Sequence, residues 1–170
     1  FYKDKFAFDI NKRIKVIYLK EKSINNNNFV QKVTERLNLI INLRKVLKHV
    51  KPDLICAFGI NNIFISFISS LGLRNKIIGS ERRSPENLSF IWKQIASAVY
   101  PKCDGMVFQL EEAKSFFNKK TQKKATVIPN PYLSKVDLVP CDFNKREKII
   151  TAAAARLEYA KGFDTLIKAF

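Results

Sequence analysis

Between residues 53 and 128, short apolar runs alternate with longer stretches whose apolar residues recur every three or four positions. The runs are 53–58, 76–80, 105–109 and 125–128, and each is bounded by Gly, Pro or a polar cluster. A strand that is apolar throughout suits a sheet buried on both faces, whereas recurrence at three and four marks an amphipathic helix. Antiparallel hairpins need only a short turn, but these runs are separated by helix-length segments, which parallel pairing requires. The pattern therefore predicts an α/β protein with a doubly wound, parallel, Rossmann-like sheet.

Upstream, residues 14–19 form another β-branched and aromatic run, expected as a strand. An Asn tract follows, and then Val30, Val33, Leu37, Ile40, Leu43, Leu47 and Val50 describe one long helix stopped by Pro52. Further helices are expected at 63–71, closed by Gly72, at 88–100 and at 111–117. Ligands of such sheets bind at the carboxyl ends of the strands. That rule nominates residues 59–62, 80–85, 109–111 and 129–132 as the functional edge, with Asn62 and Asn130 at the edge of the cleft.

Residues 132–147 lack periodicity and read as a linker between a first domain, 1–131, and a second beginning at 148. In that second part, 148–152 reads as a strand and 162–170 as a helix. The chain opens on Phe1 and stops inside this helical pattern, so both ends read as cuts, with the start of the first domain and most of the second lying beyond them.

The net charge is +16, from 31 Lys and Arg against 15 Asp and Glu. This excess fits an anionic partner, whether nucleic acid, an acidic membrane surface or phosphorylated substrates; it fits equally a genome that favours Lys, Asn, Ile and Phe. A hydrophobic share of 46% excludes a generally disordered chain. Cys56, Cys103 and Cys141 are widely spaced and form no CxxC, which argues against a zinc site or a disulfide framework and for a reducing, cytoplasmic setting. The longest apolar stretch is too short to span a bilayer, so membrane contact is expected to be peripheral.

Two cationic loops stand at strand ends. Glu81-Arg82-Arg83 follows a strand, where two arginines beside a carboxylate can grip phosphate or sugar hydroxyls or form a surface salt-bridge cluster. Arg156, Lys161 and Gly162 bracket a loop between strand and helix, suited to a diphosphate or simply to solvation. Dinucleotide and P-loop fingerprints are absent. His49, the only histidine, sits between Lys48 and Lys51 at the end of the long helix, where a cation complements the helix dipole. No histidine cluster and no Asp-x-Asp pattern is present, so metal-independent chemistry without a cofactor is expected. Phe116 and Phe117 beside Lys119, Lys120, Lys123 and Lys124 read as the buried end of a short helix with a solvated or membrane-facing basic edge.

Taken in order, "IIGSERRSP", "YPKCDGMVFQLEEAKSFF", "VIPNP" and "RLEYAKGFDTLIKAF" resemble segments of the family-4 retaining glycosyltransferases of bacterial polysaccharide assembly. The resemblance covers roughly residues 14–170. It implies an incomplete GT-B fold, with most of the acceptor-side N-terminal domain and the opening of the donor-side C-terminal domain. It implies a nucleotide-sugar donor, usually UDP-linked, retention of anomeric configuration and no bound metal. The acceptor would be a lipid-linked or cell-envelope glycan, reached from the cytoplasm at an anionic membrane surface. By position, Glu81 and Arg82 would be catalytic, facing the acceptor and reacting sugar. Arg156, Lys161 and Gly162 would hold the donor diphosphate, and Asn130 would mark the hinge side of the cleft. Two departures stand out: Ala155 where the family usually has Gly, and no histidine near Arg82. They leave a non-catalytic subunit on the same scaffold as an alternative. A nucleic-acid-binding domain is the other, but no reader motif supports it.

Overall fold

The computed structural model describes residues 10–19, 29–131, 153–155 and 161–169. It divides into two compact units, Phe1–Pro131 and Tyr132–Phe170. The expected linker and the strand at 148–152 lie outside the described residues, except that nothing more than a bend is found at 153–155.

The first unit is α/β. Its elements run α1 (Phe29–Val50), β1 (Leu54–Phe58), α2 (Ile60–Ser70), β2 (Lys76–Ser80), α3 (Phe90–Val99), β3 (Gly105–Phe108), α4 (Glu111–Ser115), α5 (Lys119–Gln122) and β4 (Ala125–Val127). The four strands pair in the order β1-β2-β3-β4, all parallel. In the second unit, Phe163–Ala169 forms a short helix, α6, preceded by Gly162 at a φ of 67°.

Register fixes which residues share a face. Ala57 lies opposite Gly79, Gly79 opposite Met106, and Met106 opposite Ala125. This face, with Ile77 and Phe108, joins Ile60 and Ile63 of α2, Ala96 and Val99 of α3, and Phe117 in one buried core. Gly79 makes room there: a Cβ would stand 2.7 Å from Met106 Sδ and 3.0 Å from Ile63 Cδ1, so these side chains would have to shift.

The opposite face carries Leu54, Cys56 and Phe58 of β1, all exposed, beside half-buried Ile78 and Val107. Among the described residues the buried core therefore lies against the first face of the sheet, and the second face leaves Leu54, Cys56 and Phe58 exposed, where both were expected to be covered. A run apolar throughout shows that both faces of a strand avoid water; it carries no sign of which neighbour supplies the second layer.

Two other expectations are corrected. Residues 10–19 contain no strand: Asn11 turns the chain by accepting from Arg13 N and Ile14 N, and Ile14, Val16 and Ile17 are exposed. A β-branched run favours extended backbone, but it becomes a strand only through a ladder with another strand, which its own residues do not specify. The long helix forms as expected, but Val30, Val33, Leu37 and Val50 of its apolar series are exposed. It is anchored to α2 mainly by its second half, where Leu47 is buried, Arg44 donates to the carbonyls of Ser69 and Leu71, and Ser69 Oγ donates to Ile40 O.

Candidate functional site

The chain leaves β2 at Ser80 on the carboxyl edge of the sheet, and there Glu81 turns inward. Its backbone N–H donates to Val107 O of β3, extending the ladder one residue past the strand. Its side chain is only 2% exposed. Oε1 accepts from the backbone N–H of Arg82 at 2.9 Å and of Arg83 at 3.0 Å, and Oε2 accepts from the Tyr100 hydroxyl at 2.6 Å. A buried carboxylate is costly unless its lone pairs are met, and three donors meet them here. The consequence is a sharp turn that sends the Arg82 and Arg83 side chains outward.

Tyr100 is fully buried at the end of α3, packed on Phe117 with ring centroids 5.0 Å apart and on Phe108 at 6.4 Å. Burial first, and then the hydrogen bond and charge of Glu81, hold its phenol well above the ordinary range. It therefore remains a donor to Glu81 throughout the physiological pH range.

The turn forms one wall of a cleft of about 300 Å³. Arg82, Arg83, Pro85 and Glu86 face Gln109, Leu110, Glu112 and Phe116 across it, with Glu81 at its base. Arg82 lies over the Phe58 ring at 5.6 Å, a cation–π contact that fixes the guanidinium at the end of β1. The cleft combines two cations, three carboxylates, an amide and an aromatic face. Such a set can hold a polyhydroxylated or phosphorylated ligand.

Of the residues singled out from the sequence, Glu81 and Arg82 are brought together here. Asn130 is joined to the cleft indirectly, by accepting from Gln109 Nε2 at 2.8 Å. Asn62 does not line it; its amide donates to Phe58 O at 2.9 Å and ties the start of α2 to the end of β1. Lys161 is exposed and Gly162 partly so, while Arg156 lies outside the described residues. The four lysines expected to form a basic edge differ from one another. All four are exposed, but Lys124 Nζ also donates to the carbonyls of Pro101 and Cys103, both at 3.0 Å. Phe117 is buried as expected, and Phe116 instead stands in the cleft wall.

Tyr100, Glu112 and Phe116 were not read from the sequence as site residues. Tyr100 falls on the apolar pattern of its helix, so nothing sets it apart from a core aromatic. Asn118 did carry a legible signal: its side chain accepts from Thr121 N and caps α5, the three-residue spacing of a helix start.

Among the described residues no three His, Cys, Asp or Glu side chains gather as metal ligands, and no helix is long and apolar enough to cross a membrane. Compared with known protein families and with curated protein sequences, the chain matches none.

Proposed function

We propose that this chain belongs to a retaining glycosyltransferase of GT-B architecture, for which its first unit supplies the acceptor-side domain. The observation that carries the reading is the cleft itself. It opens at the carboxyl edge of a parallel sheet, and the Ser-Glu-Arg turn that motivated the resemblance forms its wall. In this reading Arg82 and Arg83 face the acceptor and the reacting sugar, with Glu112 and Gln109 receiving hydroxyls and Phe116 an apolar sugar face. Glu81 shapes the turn. The donor is a UDP-linked sugar, whose diphosphate is assigned to Arg156, Lys161 and Gly162. As the bond to the diphosphate breaks, negative charge accumulates on the leaving group, where fixed cations lower the barrier; the acceptor oxygen forms the new glycosidic bond and its proton passes to the departing phosphate.

The acceptor is a lipid-linked or envelope glycan, met at an anionic membrane surface from the cytoplasmic side. Phe90 and Ile91 at the start of α3, and Leu110 and Phe116 at the cleft, are exposed apolar side chains, and Lys93 lies over the Phe116 ring at 5.5 Å. Exposed apolar groups beside lysines suit the boundary between headgroups and acyl chains.

The test is transfer of labelled sugar from a panel of nucleotide sugars to a polyprenyl-lipid extract by the full-length protein. Label should enter the organic phase, and Arg82→Ala should slow this by about 100-fold. Absence of transfer from every donor, with co-sedimentation on anionic vesicles no stronger than on neutral ones, would sink the reading.

A further inference from the structure

The turn that presents the two arginines of the cleft is held from beneath by Tyr100, which does not itself line it. The Tyr100 hydroxyl fixes Glu81 Oε2, and Glu81 Oε1 fixes the amides of Arg82 and Arg83. No other part of Glu81 is free to turn: its N–H is held by Val107 O, and its side chain is 2% exposed. Among the described residues the one close ion pair, Lys114 with Glu111, does not involve it, so hydrogen bonds alone hold this carboxylate. We infer that Tyr100 is a positioning residue for the cleft, setting through Glu81 the direction in which Arg82 and Arg83 meet an anionic ligand.

This rests on the cleft being a ligand site, and the two ideas separate in one set of measurements on the full chain. The probe is inorganic pyrophosphate, followed by calorimetry, together with amide hydrogen exchange resolved at single residues. Tyr100→Phe keeps the ring that packs on Phe108 and Phe117 and removes only the hydroxyl. It should speed exchange at Arg82 and Arg83 by about tenfold, leaving Glu81 and Met106, whose amides are held by the carbonyls of Val107 and Lys124, unchanged. It should also weaken pyrophosphate by about tenfold, as Arg82→Ala should.

Glu81→Ala should reproduce the Tyr100→Phe result, which keeps the idea testable if either variant folds poorly. Glu81→Gln should resemble the wild type, since its amide oxygen still accepts from both N–H groups and its NH2 can donate to a rotated Tyr100 hydroxyl. A purely structural role would instead lower the melting temperature of Tyr100→Phe without weakening pyrophosphate. If Arg82→Ala loses pyrophosphate but Tyr100→Phe binds it normally, the positioning role is overturned and the cleft stands. If wild type and Arg82→Ala bind pyrophosphate alike, the cleft reading falls, whatever the exchange rates show.

Discussion

Asp104 and Ile77 are clamped to each other twice: Asp104 Oδ2 accepts from Ile77 N at 2.8 Å, and Asp104 N donates to Ile77 O at 2.9 Å. The aspartate of the "CDGMVF" segment is thus a joint between the openings of β2 and β3. Replacing it with Ala leaves the Ile77 amide without its acceptor and should cost about 1–1.5 kcal/mol of stability. Asp104→Asn keeps an acceptor and should cost less than half of that. Urea unfolding of both variants checks this, and equal losses would mean that charge rather than the hydrogen bond matters.

Gly79 sits where β2 passes under Met106 and Ile63. Gly79→Ala should cost about 1 kcal/mol, because the Met106 thioether can bend away; Gly79→Val should cost about 3 kcal/mol. Chemical denaturation of the two variants should show this ranking. A valine variant as stable as the wild type would show that the sheet face is looser than its contacts indicate.

Two buried acids should make stability fall at alkaline pH. Cys103 is pushed up from 9.0 to about 11, by burial and then by the Asp104 carboxylate, and Tyr100 is raised well above 10.0. In both cases the folded state keeps a proton that the unfolded chain releases, so the contribution is complete at lower pH and is lost as pH rises. The loss should begin near pH 9 through Cys103 and continue beyond pH 10 through Tyr100. Melting temperatures measured from about pH 8 to about pH 11 should decline less steeply above pH 10 in Tyr100→Phe. Cys103→Ala should flatten the earlier part of the curve. Parallel curves for all three proteins would contradict this.

Lys124 should behave unlike its neighbours. Its ammonium closes the end of the turn at Pro101 and Cys103. Lys124→Met should therefore lower stability by about 1 kcal/mol, discounted for exposure. Lys119→Met and Lys123→Met should leave stability nearly unchanged while weakening any binding to anionic vesicles. Thermal melts and co-sedimentation of the same three variants separate the two roles.

The parallel α/β architecture was legible because buried strands and amphipathic helices leave different periodicities, and each strand had enough apolar residues to announce itself. The boundaries were less so. Helix α2 begins at Ile60 and not at 63, because Gly59 adopts a positive φ of 77° and Asn62 bonds back to Phe58, choices made by local geometry rather than by apolar spacing. The expected strand at 14–19 is not formed, and strand formation depends on a pairing that no single segment carries in its own residues.

The same division holds at the candidate site. Chain order alone put Glu81 and Arg82 at the carboxyl edge of a strand, since a parallel sheet gives every strand end the same address. It said nothing of what Glu81 would touch. Tyr100 lies 19 positions away, and only the crossover through α3 brings its hydroxyl beneath the turn. That contact turns a charged loop side chain into a buried anchor with both arginines facing out. A carboxylate's role depends on the donors and solvent around it, and tertiary packing alone determines those.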